Sequence, residues 1–398
     1  MWVFETLSGI DKVKAYYNGK GKSVKDSGAF PFCRVVQSTG YPEGKPLLYL
    51  CQYLPNDIAE GIIDIKLDED NKIYQINICD RRLYQFEFIS EKDKSEEWAN
   101  WFQNLSMRIK ASPEDFSLMN EMRRRRREVF LQTMNLVNSG KYISEKGNEI
   151  LIPDAEIMAS STVFYDREIP DTKKQKYQTI ELTVEPEDCV LIGKRLRNDG
   201  YNPAILNMAS GRNPGGGVIS GAGAQEENLF RRSNLFKSLY QFADFASQYG
   251  IKKSKNQYPL NFHFGGIYTP DAFFFRGEEK KGYPLLDSPY RLSVISVPAV
   301  NLRDHRITKN DYYVTMKDKI HTILRIGFEH GHDSLVLSAF GCGAYGNDPE
   351  IVALMFLDVF NETEFQGSFK KIVFAIIDDH NSVNNYQAFK TVVENKRM

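Results

Sequence analysis

From Asn213 to Phe230 the sequence reads NPGGGVISGAGAQEENLF: three glycines, Gly215, Gly216 and Gly217, then seven residues, then Gln225, Glu226 and Glu227. Consecutive glycines let backbone approach a ligand with no Cβ in the way. The apolar run PAILNMA before them predicts a buried strand, and EENLFRRSNLFKSLYQFA after them predicts one helix. The glycines therefore occupy a strand-to-helix turn, where backbone N–H groups and a helix N-terminus suit a phosphate or diphosphate. The helix dipole alone favours two acids at this position, which would make them structural. Two carboxylates a few ångströms apart nevertheless repel by roughly 4 kcal/mol at an effective dielectric of 20, so one of them tends to keep its proton near neutrality.

A second loop repeats this context. SLVLSA predicts a buried strand and DPEIVALMFLDVF a helix, and Gly341, Cys342, Gly343, Ala344, Tyr345 and Gly346 lie between them. In an open α/β sheet two such loops face one crevice at the carboxyl ends of the strands. Loop two also satisfies G-x-G-x-x-G, but that fingerprint belongs to an opening βαβ unit and only one predicted strand follows it here, which disfavours a dehydrogenase. Neither loop carries the Lys-Ser or Lys-Thr of a Walker motif.

Strands and helices alternate from Glu156 onward. Strands are expected at EIMASSTVFY, YQTIELTV, GIYTPDAFFF, LSVISVPAV and KKIVFAII, and helices at PEDCVLIGKRLRNDG, from Lys309 to His330 and from about Asn384. This is the pattern of an α/β fold, a mostly parallel mixed sheet covered by helices on both faces. Ahead of it, Ser112-Pro113-Glu114-Asp115 opens a helix expected to reach about Asn138 and to stop at Gly140. Its arginines, Arg123 to Arg127, are spread around the axis by 100° steps; a solvated helix with some arginines paired to acids and a phosphate-binding patch both fit.

Residues 1–111 read differently, as seven short strands (MWVFETL, KVKAYY, FCRVVQ, LLYLCQYL, GIIDIKL, IYQINI, LYQFEFI) and a helix carrying Trp98, Trp101, Phe102, Leu105 and Ile109. This small β-rich segment resembles a pleckstrin-homology-like domain, most clearly in RRLYQFEFISEKDKSEEWANWFQNL. The resemblance implies a binding module with a protein or phosphoinositide ligand. Six basic side chains within residues 10–35 and six acids within 57–70 polarise it, and a solvated charged face is the simpler account of them. A length of 398 residues suits this division into 1–111 and 112–398.

With 51 basic and 52 acidic residues, no direct DNA binding is expected. Cys33, Cys51, Cys79, Cys189 and Cys342 are scattered and never form C-x-x-C, which argues against disulfides and a zinc knuckle and for a reducing compartment. The N-terminus lacks the order of a signal peptide, and no apolar run approaches the ~18 residues of a membrane span, so a cytoplasmic or nuclear location is expected. His330 and His332, beside Asp333 at a helix end, lack a third spaced ligand; solvent exposure is expected, and no metal. Cys342 reads as a small side chain tolerated between glycines. Asp378, Asp379 and His380 end the last strand, where an adenine contact and a helix cap are equally good accounts.

The G-G-G, seven residues, Q-E-E signature is similar to that of bacterial-type poly(ADP-ribose) glycohydrolases, which are macrodomain proteins. The likeness runs from about residue 113 to 398, through LQTMNLVNSGKY, AILNMASGRNPGGGV, GGIYTPDAFFFR, VPAVNLR, SAFGCGAYGNDP and VFAIIDDH. It implies a three-layer α/β/α macrodomain that cleaves ribose–ribose O-glycosidic bonds without a cofactor. Its partners would be poly(ADP-ribose) or ADP-ribosylated proteins, with ADP-ribose as product. Carried over by position, Glu227 protonates the leaving ribose oxygen and then deprotonates the attacking water. Glu226 orients the distal ribose and helps set the proton affinity of Glu227; Asn213 holds the same ribose. The backbone from Gly215 through Gly216, Gly217, Val218 and Gly221 to Gly223 holds the diphosphate, Gly341 to Gly346 closes over its other side, and Gln225 counts among the ADP-ribose-binding residues. Tyr345 stands where the family usually has an aromatic, commonly Phe. A non-catalytic ADP-ribose reader and a hydrolase of mono-ADP-ribosylated proteins are the alternatives.

Overall fold

The computed structural model describes the backbone of six strands within residues 1–112, and then residues 113–395 apart from 172–175, 304–306 and 379–383, with side chains from residue 121 onward. The chain divides into two compact units, Met1–Met122 and Arg123–Met398. In the first, β1 (Trp2–Thr6), β2 (Val13–Tyr17), β3 (Cys33–Gln37), β4 (Ile62–Leu67), β5 (Ile73–Ile78) and β6 (Tyr84–Glu87) form one antiparallel sheet in the order β3-β1-β2-β6-β5-β4. The expected strand LLYLCQYL and the helix with Trp98 and Trp101 lie outside the described residues.

Helix α1 (Pro113–Ser139) ends as its sequence requires, with Gly140 in the left-handed region at φ +73° and its N–H on the Leu136 carbonyl. A hairpin that the sequence did not suggest follows, β7 (Lys141–Ile143) with β8 (Glu149–Leu151). Then come α2 (Ala155–Ser160), β9 (Val163–Tyr165), β10 (Glu181–Glu185), α3 (Cys189–Asn198), β11 (Pro203–Met208), α4 (Gln225–Arg232) and α5 (Leu235–Tyr240). The rest is β12 (Gly266–Arg276), β13 (Leu285–Val297), α6 (Lys309–Glu329), β14 (Ser334–Leu337), α7 (Pro349–Phe360), β15 (Lys371–Ala375) and α8 (Asn385–Asn395).

The seven strands β9 to β15 form one sheet in the order β10-β15-β14-β11-β13-β12-β9, parallel from β10 through β13, with β12 antiparallel to both its neighbours. Both faces are packed, which is why the central strands are apolar without alternation. Along β11, Ala204 and Leu206 join a core with Met316 and Ile320 of α6, Phe356 of α7 and Phe389 of α8. Ile205, between them, joins the opposite core with Phe130 of α1, Ile192 of α3, Phe230 of α4 and Phe236 of α5. The result is three layers, helices on either side of a mostly parallel sheet.

Several expectations are corrected. EIMASSTVFY is not one strand: Asp154 caps a helix by accepting the Glu156 N–H, and Ala155, Met158 and Ala159 bury at helical spacing, so only Val163–Tyr165 is extended. The expected single helix after Glu226 breaks at Ser233, which is extended (φ −148°, ψ 177°) and bridges Phe274 of β12. Ser233 Oγ donates to the Leu229 carbonyl and Asn234 Oδ1 accepts the Phe273 N–H, side-chain bonds that compete with helix continuation. His332 is not exposed: it is 3% accessible, its Nδ1 lies 3.0 Å from the Asn202 carbonyl and its Nε2 3.0 Å from the Tyr268 hydroxyl. His330 is half-buried and stacks on the Tyr268 ring at 3.5 Å, and burial pushes its imidazole down to about 4. Among the described residues no group of three His, Cys, Asp or Glu side chains could hold a metal ion, and no helix is long and apolar enough to cross a membrane.

Candidate active site

β11 and β14 are parallel neighbours, paired from Pro203 to Ile205 against Ser334 to Val336. Both therefore end at the same edge of the sheet, and the two glycine loops leave from there. In loop one, Gly215 and Gly216 have φ of +77° and +51°, and a Cβ on Gly216 would lie 2.5 Å from Glu227 Oε1. No residue but glycine fits that approach. The Gly215 N–H donates to Glu226 Oε1 (3.1 Å), the Ser210 N–H to Glu226 Oε2 (2.8 Å) and the Gly217 N–H to Glu227 Oε1 (2.8 Å). The N–H groups of Gly216, Val218, Gly221 and Ala222 are taken by carbonyls of the same loop. The glycine triplet is thus a cradle for the protein's own carboxylates, and the amides that can take an outside anion include those of Gly223 and the first turn of α4.

Glu226 and Glu227 are 3% and 7% exposed. Burial first, and the neighbouring Glu227 second, push the Glu226 carboxyl up to about 8, although the Ser210 and Gly215 amides oppose this. Glu227 Oε2 is buried and has no hydrogen-bond partner. A buried oxygen in that state carries a desolvation cost that a ligand can remove.

Gln225 uses both ends of its amide on the protein: Oε1 accepts the Met208 N–H (2.8 Å) and Nε2 donates to the Leu206 carbonyl (2.6 Å). Asn213 is exposed, with its carbonyl on the Gly216 N–H. The arginines of α1 divide by position. Arg124 pairs with Glu128 at the surface, whereas Arg126 pairs with Glu279 and lies so close to Gly223 that a Cβ there would meet its guanidinium at 2.3 Å. Gly221, at φ +81°, is packed on the Arg123 carbonyl. Arg231 supports the same loop from inside, its Nη1 donating to the Ala222 carbonyl and its Nε to the Tyr283 hydroxyl.

Loop two is tied down by Asn347, whose Nδ2 donates to the carbonyls of Gly341 (2.9 Å) and Val300 (2.8 Å). The Gly346 N–H closes a turn on Gly343, and Ala344 is exposed. The Tyr345 carbonyl accepts the Leu302 N–H, while its half-buried hydroxyl is raised by burial and by Glu226 and Glu227, which places it within electrostatic reach of loop one's acids. Burial raises the Cys342 thiol too, and that side chain fills space. Asp378 Oδ1 accepts the Tyr386 N–H at the start of α8, a capping role and one of the two accounts its sequence position left open; Asp379 and His380 lie outside the described residues.

Sequence reasoning missed Ser210, Arg231, Asn347 and Tyr258. Tyr258 precedes β12, and its buried hydroxyl has no partner; burial raises it, and Glu226 and Tyr345 are the charges that reach it. The aromatic density of NQYPLNFHFGG was the only signal.

Residues 131–277 match the family model described as "Microbial-type PARG, catalytic domain". The poly(ADP-ribose) glycohydrolase of Thermomonospora curvata is 31% identical, with a TM-score of 0.57 over 67% of this chain and 98% of its own. The same protein bound to the inhibitor ADP-HPD is 29% identical, with a TM-score of 0.55 over 69% of this chain and 99% of its own. The Deinococcus radiodurans poly(ADP-ribose) glycohydrolase in complex with ADP-ribose is 28% identical, with a TM-score of 0.51 over 62% of this chain and 99% of its own. No curated protein matches.

Proposed function

The chain belongs to the microbial-type poly(ADP-ribose) glycohydrolases, glycosidases that hydrolyse poly(ADP-ribose), and we propose that in this member Glu227 is the general acid and base. The unpartnered Glu227 Oε2 carries the proposal. Both oxygens of Glu226 are held by backbone N–H groups, and so is Oε1 of Glu227. Of the four carboxyl oxygens, Glu227 Oε2 is the one that no backbone amide holds, and we assign to it the proton that the leaving ribose oxygen receives.

Proton transfer from Glu227 Oε2 breaks the bond between the ribose anomeric carbon and the leaving oxygen. The resulting carboxylate then takes a proton from the water that attacks the oxocarbenium-like ribose. Asn213, Glu226 and Tyr345 would surround this ribose, and the amides from Gly223 into α4 would take the diphosphate of ADP-ribose in a three-layer macrodomain. Arg126 lies beside Gly223 at the start of that row of amides, its charge paired with Glu279.

Glu227→Gln tests the assignment. The amide oxygen keeps the Gly217 N–H and the NH2 group takes the place of Oε2, so the fold should hold. Release of ADP-ribose from the polymer should fall by about 10²- to 10⁴-fold, with ADP-ribose affinity kept; undiminished turnover sinks the role. We further take residues 1–111 as a pleckstrin-homology-like module and 112–398 as the catalytic domain, a division that the antiparallel sheet of the first unit supports. Running the same assay without residues 1–111 tests it, since loss of hydrolysis would contradict an accessory role.

A further inference from the structure

Phe262 is the one exposed phenylalanine among the described residues, with 55% of its surface accessible. Single exposed apolar side chains are ordinary on a surface; this one is unusual in how firmly it is presented. The Leu260 N–H donates to the Gly211 carbonyl of loop one (2.9 Å). Asn261 Oδ1 accepts the N–H groups of His263 (2.9 Å) and Phe264 (3.0 Å), and the Gly265 N–H returns to the Asn261 carbonyl. His263 Nδ1 lies 2.7 Å from Asp318 Oδ2 on α6. Next to Asp318, the 2%-exposed Lys319 sets its Nζ 5.5 Å from the centre of the Phe262 ring. An apolar ring in water is thus held on a pinned turn, with the buried Lys319 amine on one side and more than half of its surface open.

Its place in the fold says what the open side meets. The strand order β14-β11-β13-β12 sets loop two, loop one and this turn, which enters β12, in sequence along one edge of the sheet. Tyr258, two residues before the anchored Leu260, has its unpartnered hydroxyl within electrostatic reach of Glu226 and Tyr345. A ligand held between the two loops that continues past the carboxylates, away from β14, crosses β13 and arrives at the turn.

A polymer of ADP-ribose continues there, and what it brings is another nucleotide. We propose that Phe262 is the stacking platform for the adenine of the ADP-ribose unit adjoining the scissile bond, a second nucleotide subsite that selects polymer over single units. The inference rests on the polymer-cleaving function above. The geometry suits a purine: every base offers a flat face, and a rigid aromatic ring stacks on it at little entropic cost.

The test compares full-length wild type, Phe262→Ala and Phe262→Trp in kcat/KM on poly(ADP-ribose) and in the Kd for free ADP-ribose, which lacks the second adenine. Phe262→Ala should lower kcat/KM on the polymer by roughly 5- to 100-fold, the range of one base–aromatic stack, and leave the ADP-ribose Kd unchanged, while Phe262→Trp keeps polymer activity. Unchanged polymer turnover in Phe262→Ala overturns the subsite, and so does a parallel loss of ADP-ribose affinity. Wild type that binds ADP-ribose but fails to cleave polymer would overturn the glycohydrolase function itself, an outcome distinct from either.

Discussion

Glu226 should make the stability of the catalytic unit depend on pH in a way that one substitution removes. Burial and Glu227 move its carboxyl from 4.5 to about 8. An unfolded chain releases that proton near pH 4.5, whereas the native protein keeps it to about pH 8. The native state therefore binds more protons throughout this window, and stability falls as pH rises through it. At ~1.4 kcal/mol per pH unit the full effect is about 5 kcal/mol, complete below pH 4.5 and gone above pH 8.

Glu226→Gln abolishes the titration but adds a cost of its own, because both Glu226 oxygens accept N–H groups, from Gly215 and Ser210, and an amide can accept only one of them. A donor left facing a donor costs ~1–3 kcal/mol. Wild type should thus be the more stable protein below pH 4.5 by roughly that amount, by ~0–2 kcal/mol at pH 5, and the less stable one at pH 9 by ~2–4 kcal/mol, with the curves crossing between about pH 5 and 7. Urea unfolding followed by far-ultraviolet circular dichroism is the suitable assay. All three tryptophans, Trp2, Trp98 and Trp101, precede residue 112, so their fluorescence would report the wrong unit. His330 and Lys319 titrate alike in both proteins and cancel. A difference that stays constant from pH 5 to 9 would refute the reasoning.

Gly216→Ala should cost ~1–2 kcal/mol in backbone strain at φ +51° and displace the Glu227 carboxylate that its Cβ would meet at 2.5 Å; polymer turnover should collapse while the protein stays folded, and near-normal kcat would contradict the cradle. Lys319, lowered by burial from 10.5 to about 7, gives the reverse pH trend to Glu226: between these values the unfolded chain binds the extra proton, so its contribution rises with pH. Lys319→Met should accordingly raise stability by up to ~5 kcal/mol at pH 6 and by much less at pH 10; a lower Tm than wild type at pH 6 would exclude this.

What the sequence disclosed was whatever rests on neighbouring residues. PAILNMA and SLVLSA are apolar without a break because β11 and β14 are covered on both faces, and Gly140 marks the end of α1 through its own backbone. Ser233 defeated the same logic: it sits inside a helical period, and only its partner Phe274, 41 positions away on β12, explains why the helix stops. His332 looked solvated because the Asn202 carbonyl and Tyr268 hydroxyl that bury it are remote in the chain. Within the site, the glycine triplet announced close approach but not what approaches. A phosphate and a carboxylate make equal demands on a residue without Cβ, and the N–H directions, which no spacing encodes, point at Glu226 and Glu227.

The pairing between β11 and β14 stops at Ile205 and Val336, while β11 itself runs on to Met208. Odd-numbered Ala209 sends its N–H to β13, so Leu206 and Met208 present their polar groups toward the side that β14 has left. Gln225 fills that gap, donating to 206 and accepting from 208, the two bonds that a residue of a parallel neighbour opposite Asn207 would make. One side chain acts as a counterfeit strand. It lets two adjacent strands part company without stranded peptide groups, and their parting is what opens a mouth in the sheet. Of the three consecutive residues Gln225, Glu226 and Glu227, the first is joinery that holds the mouth open for the other two.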